Sequence, residues 1–176
     1  VGEIEGEFGK IYVDQFSIIN LQLSIYDMKA IFILGSNSDK EFTEQMVTGL
    51  KEWGVESEVI VASAHKVPKK VADIVEQYNS LEDVVFVGVA GRSNALSGVL
   101  AANSVHPVFA CPPFKDKDDM TVNIFSSLMM PSDTPVMTVV DPANLVLSVV
   151  KIFAEKDGDL RRKVVERIEK VRKSFE

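Results

Sequence analysis

The sequence predicts an α/β fold, a three-layer sandwich in which a doubly wound parallel sheet lies between two layers of helices, with an extra helix at the carboxyl end. Three observations predict it. Short apolar runs of four to seven residues alternate with longer segments of helical periodicity, glycine or proline stands at several boundaries, and polar loops follow the first three apolar runs. The chain has 176 residues, within the roughly 100–200 of a single domain, and 46% of them are apolar, which suffices for a continuous core.

The elements follow in order from Met28. Residues 30–34, AIFIL, form a strand buried on both faces. Residues 39–53 follow as a helix with Phe42, Met46, Leu50 and Trp53 on one face, stopped by Gly54. Residues 55–61 are the second strand; Pro68 suits the first turn of a helix carrying Val71, Ile74, Val75 and Tyr78; residues 84–89 are the third strand. Residues 96–103 read as a small-residue helix, 107–110 as a strand, 120–128 as a helix, 135–140 as a strand and 143–153 as a helix. Repeated βα units imply a parallel sheet with right-handed crossovers. Residues 159–175 carry Leu160, Val164, Ile168, Val171 and Phe175 on one stripe. A helix added after a complete sandwich is expected to find at least part of its cover on a neighbouring subunit.

Residues 1–27 differ from the rest. They lack the basic start and long apolar run of a secretory signal, and the arginine-rich character of a transit peptide. Two readings stand side by side: a native protein that begins at Met28 behind a wrongly assigned start, or an N-terminal extension with one or two edge strands. The expected division is therefore an extension over 1–27, the α/β domain over 28–158 and a C-terminal helix over 159–176.

Composition excludes several function classes. The net charge of −7 would repel a nucleic-acid backbone, and no basic stripe with interleaved aromatics offsets it. No segment approaches the roughly 20 apolar residues of a membrane helix, so a cytoplasmic protein without membrane contact is expected. The single cysteine, Cys111, leaves no internal disulfide framework or thiolate metal cluster, and reads as a buried small apolar residue.

In a doubly wound sheet, ligands bind beyond the carboxyl ends of the strands where strand order switches, and three polar loops belong there. Gly35-Ser36-Asn37-Ser38-Asp39 opens a helix: Gly35 allows a tight turn, Ser36 and Ser38 offer hydroxyls, and Asp39 can cap the helix or accept from a sugar's hydroxyls. Alone it is equally an ordinary helix cap, and it fits neither the dinucleotide nor the nucleoside triphosphate glycine pattern. Ser63-Ala64-His65-Lys66 puts a side chain that titrates near neutral pH beside a cation. His65 is one of two histidines; His106, before Pro107 at the other end of a strand, reads as structural or solvated. The third loop, Gly88 to Gly98, supplies glycines such as Gly91 for close backbone approach, the cation Arg92, and the hydrogen-bonding side chains of Ser93 and Asn94.

Together these loops resemble the aminoimidazole ribonucleotide (AIR) carboxylase family of purine biosynthesis. GSxSD, SAH followed by a basic residue, a glycine-rich loop after the third strand, Cys111-Pro112-Pro113 and Ser126-Ser127-Leu128-Met129-Met130-Pro131 stand in that family's order, from Met28 to about Phe153. The C-terminal helix resembles an extension seen in some members. The family's mutase branch typically has SAHRTP and a GGAAHLPG-like loop with a second histidine. SAHK and AGRSNALSG instead resemble the class II branch, which carboxylates AIR directly with CO2; Val67 departs at a position that varies among members.

The resemblance implies a flavodoxin-like strand order and a reversible carboxylation without metal, biotin, ATP or other cofactor. It implies that His65 moves the proton, that Lys66 holds the phosphate or the developing carboxylate, and that Ser93 hydrogen-bonds in the CO2 pocket. Gly35, Ser36, Ser38, Asp39 and Ser63 would line the phosphate and ribose side, with Gly91, Arg92 and Asn94 completing the substrate contacts. It further implies a homo-oligomer, an octamer around a central axis. Two alternatives remain: the mutase reaction on the same scaffold, and a non-catalytic nucleotide- or flavin-binding module.

Overall fold

The computed structural model describes residues 28–176, so both readings of residues 1–27 lie outside the described residues. Five strands, β1 (Lys29–Leu34), β2 (Glu56–Val61), β3 (Val84–Val89), β4 (Val108–Ala110) and β5 (Met137–Thr138), form one parallel sheet in the order β2-β1-β3-β4-β5. That is the flavodoxin-like order, and its switch lies where β1 meets β3.

The strand pattern explains the two helix layers. Side chains alternate across a strand, and β1 has apolar residues at every inner position. Ala30, Phe32 and Leu34 face α1 (Lys40–Trp53) and α6 (Pro142–Phe153), through Met46, Leu50, Leu145 and Val149. Ile31 and Ile33 face the other way, onto α2 (Pro68–Asn79) and α3 (Ala95–Asn103), through Val71, Val75, Leu96 and Leu100. β3 divides likewise, with Val85 and Val87 on the first face and Val84 and Phe86 on the second. Gly54 ends α1 at φ 82°, the left-handed cap that a residue with a Cβ resists, and its N–H bonds to the carbonyls of Leu50 and Lys51.

The predicted elements are all present, with two shifts of substance. The helix expected over 120–128 is two pieces, α4 (Lys117–Asn123) and α5 (Phe125–Leu128). It begins earlier because Asp116 caps it, accepting from the N–H of Asp119 at 2.8 Å. The strand expected over 135–140 pairs only at Met137 and Thr138, against Phe109 and Ala110. An edge strand needs only as much ladder as its one neighbour offers, and β4 offers three residues.

The last helix, α7 (Gly158–Lys173), is capped by Asp157, which accepts from the N–H groups of Asp159 and Leu160. Its first turns find their cover on the chain itself. Leu160 and Val164 are buried against the chain's own core, which includes Phe153 and Ala154. Val171 and Phe175 remain 42% and 87% exposed, so the stripe outruns the surface beneath it. Among the described residues no helix is long and apolar enough to cross a membrane.

Candidate active site

The ladder sets the site. Leu34 stands level with Val61 on one side and Val89 on the other, so the loops after β1, β2 and β3 leave the sheet at the same height. Backbone bonds stitch their roots together: the Gly35 N–H donates to Val89 O and the Ala62 N–H to Leu34 O, both at 2.9 Å. The loops then enclose a cleft of about 250 Å³ that Gly35, Ser36, Asp39, Ser63, His65 and Lys66 line from one side and Gly91, Arg92 and Ser93 from the other. A larger groove, about 810 Å³ between α1, α6 and α7, contains none of the three loops.

The first loop is a reciprocal cap. Asn37–Asp39 make one 3-10 turn before α1; Ser36 Oγ accepts from the Ser38 N–H and hydroxyl, and the Ser36 N–H donates to Asp39 Oδ2 at 2.9 Å. Desolvation raises the Asp39 pKa above its ordinary value, against the opposing pull of the Ser36 N–H and the Ser38 hydroxyl. Ser38 lies outside the cleft, on a second concavity of about 620 Å³ that shares Asp39, Gly91 and Arg92 with it. Phe114 and Lys115, which the sequence reading did not single out, line that second concavity. Their signal was their place just after Cys111-Pro112-Pro113, at the carboxyl end of the fourth strand.

The second loop closes on itself through the Val67 N–H and Ser63 O at 2.9 Å, leaving His65 and Lys66 exposed on the cleft wall. In the third loop, a Cβ on Gly91 would lie 2.6 Å from the Pro113 carbonyl oxygen, so only glycine fits beneath that segment. Ser93 takes φ 50°, left-handed backbone that residues with a Cβ seldom adopt. Asn94 departs from its expected place among the substrate contacts. It is 3% exposed and absent from the cleft wall, with Oδ1 accepting from the Ser97 N–H and Nδ2 donating to Ser127 Oγ. It caps α3, a role its position just before that helix allows.

His106 and Cys111 stand apart from the cleft. His106 Nε2 lies 3.0 Å from Tyr78 O, with its ring tilted against Phe86. Cys111 is fully buried, and burial, with a lesser contribution from Asp141, pushes its thiol up to about 12.

Comparison with known proteins agrees with this geometry. A family profile described as AIR carboxylase matches residues 29–174. A protein of Archaeoglobus fulgidus named phosphoribosylaminoimidazole carboxylase is 48% identical over 139 residues, 79% of this chain and 76% of its own length. One of Methanocaldococcus jannaschii named N5-carboxyaminoimidazole ribonucleotide mutase is 41% identical over 143 residues, 80% of this chain and 88% of its own. Among solved structures, PurE of Treponema denticola superposes with a TM-score of 0.77 at 32% identity, covering 84% of this chain and 93% of that one. By the span of the profile and the identity of these relatives, the chain belongs to the AIR carboxylase family of enzymes.

Proposed function

We propose that the protein carboxylates 5-aminoimidazole ribonucleotide with CO2, giving 4-carboxy-5-aminoimidazole ribonucleotide for purine biosynthesis, without ATP or biotin. The observation that carries this is one cleft bounded by a histidine-lysine pair, a left-handed serine and a capped, hydroxyl-bearing turn. Aminoimidazole is an enamine, so its C4 attacks CO2 unaided and one carbon–carbon bond forms. C4 then bears both a hydrogen and the carboxylate. His65 takes that proton, and the C–H electron pair returns to the ring and restores its aromaticity. In the reverse direction the imidazolium returns the proton to C4 and CO2 leaves.

Such acid–base help contributes on the order of 10²–10⁴ in rate, and holding CO2 over C4 supplies much of the rest. Lys66 faces the developing carboxylate or the phosphate, Ser93 hydrogen-bonds to CO2, and the Gly91 backbone approaches the base. Gly35, Ser36, Ser38, Asp39 and Ser63 serve the ribose and phosphate, and Arg92 adds a cation on the wall shared by the two concavities. The position of Ser38 on the larger concavity supports an extended nucleotide that spans both.

The enzyme works in the cytoplasm as a homo-octamer; uncovered apolar side chains on and beside α5 and β5, such as Phe125, Met129 and Met137, support an assembly of copies. Its catalytic unit is residues 28–158, with residues 159–176 an added helix. The mutase reaction remains the second reading because of the Methanocaldococcus jannaschii relative. One assay decides: aminoimidazole ribonucleotide and bicarbonate without ATP. Turnover is expected; turnover only with the N5-carboxylated substrate would give the chain to the mutase branch, and turnover with neither would end both readings.

A further inference from the structure

We infer that Ser126 and Ser127 are positioning residues for this reaction: from α5 they hold Asn94, and through it fix the left-handed backbone that presents Ser93 to the cleft. Neither serine lines the cleft, and both lie more than thirty positions from Asn94 in the chain. Yet the two hydroxyls meet Asn94 at backbone and side chain together. The Asn94 N–H donates to Ser126 Oγ and the Asn94 Nδ2 to Ser127 Oγ, each at 2.9 Å.

Both serines are themselves held. A serine hydroxyl has one proton to give, and Ser126 spends it on Asn123 O at 2.8 Å, which turns a lone pair toward Asn94. Ser127 is 1% exposed, and its carbonyl accepts from Thr138 Oγ1 at 2.9 Å, tying α5 to β5. Asn94 is buried, so an amide proton left without a partner there would find no water to replace it.

The held loop is one that would otherwise relax. Ser93 sits at φ 50°, a conformation that persists in a non-glycine residue when its surroundings over-determine it. On its carboxyl side the fixed neighbour is Asn94, clamped by α5 and by its own cap on α3. On its amino side Gly91 is pressed against the Pro113 carbonyl. Ser93 thus spans two anchors, and the serine pair supplies the one that could be withdrawn without touching the cleft wall.

The inference rests on the carboxylation proposed above, and its test separates the two. Ser126→Ala, Ser127→Ala, Asn94→Ala and the Asn94→Ala/Ser127→Ala double variant are assayed with aminoimidazole ribonucleotide and bicarbonate. Hydrogen exchange is followed across residues 91–95, and melting is recorded for each variant. Each single variant should lower kcat/KM about tenfold, with the KM for bicarbonate raised and that for the nucleotide nearly unchanged. The double variant should be no worse than the poorer single one, because both remove the same bond. Exchange at residues 91–95 should quicken in every variant that still melts cooperatively.

Unchanged exchange and kinetics in folded Ser126→Ala and Ser127→Ala would overturn the inference, as would losses that simply multiply in the double variant. A parent that turns over no substrate would overturn the proposed reaction alone. The exchange measurement still reads the clamp in that case.

Discussion

The two sides of the sheet are built on different terms. β1 pairs over six residues with β2 and again with β3, and every residue of β3 is buried. Beyond β3 the ladder shrinks to three paired positions with β4 and two with β5. The first side draws its precision from a six-residue ladder that brings three loop roots to one level. The second takes its shape from side-chain bonds, such as Asp116 on Asp119 and Thr138 on Ser127, and leaves large apolar side chains uncovered.

The largest expected effect tests that contrast directly. Phe86 is fully buried on β3, and Phe86→Ala should cost about 3–5 kcal/mol in denaturant unfolding. Phe125 on α5 is 57% exposed, and Phe125→Ser should change the fold's own stability by less than about 0.5 kcal/mol. Light scattering adds what the chain alone does not: the proposed octamer should lose mass in Phe125→Ser. Equal costs at the two positions would erase the contrast, and an assembly of unchanged mass would leave this face to solvent.

The next effect belongs to the cleft. His65 is exposed in a loop closed by backbone bonds, so His65→Asn should melt like the parent while turnover falls at least about a hundredfold. Near-parental turnover would assign the proton elsewhere and make the first side a scaffold only.

How much the sequence disclosed follows the same division. β1 and β3 are legible as unbroken apolar runs, and Gly54 and Pro68 mark helix ends that the structure keeps. On the far side the period is diluted: α4 opens on Lys117-Asp118-Asp119, and only the Asp116 cap identifies its start. The strand over 135–140 reads longer than it pairs, because an apolar run does not report the length of the partner strand. In the site, residue type disclosed which loops matter but not which way each side chain turns. Asn94 reads as a ligand contact and is a cap, while Lys115 lies outside the polar clusters and faces a concavity next to Asp39 and Arg92.

A smaller effect sharpens the chemistry of the first side. Lys66→Arg keeps the charge but replaces a compact ammonium with a planar fork. It should lower bicarbonate-dependent turnover about tenfold, the scale of one hydrogen bond in the transition state, without shifting the melting temperature. Full turnover in this variant would make Lys66 an interchangeable cation and would shift the branch distinction onto Arg92, Ser93 and Asn94.

The smallest effect concerns Asp39, in the capped turn that follows β1. Desolvation comes first among the causes that raise its pKa above 3.8, and the Ser36 N–H and Ser38 hydroxyl oppose it. The folded chain therefore holds this proton more tightly than the unfolded chain. The resulting stability is fully present below the unfolded value and is lost as pH rises through the raised folded value. An asparagine side chain in its place would keep an oxygen for the Ser36 N–H but carry no charge, so it would not share that loss. The melting temperature of Asp39→Asn relative to the parent should therefore rise from about pH 4 upward and level off once the parent's carboxylate is ionised. A relative melting temperature that falls over this range would mean that the ionised carboxylate gains more from the Ser36 N–H than it loses to burial, making the cap and not desolvation the dominant influence at this corner of the site.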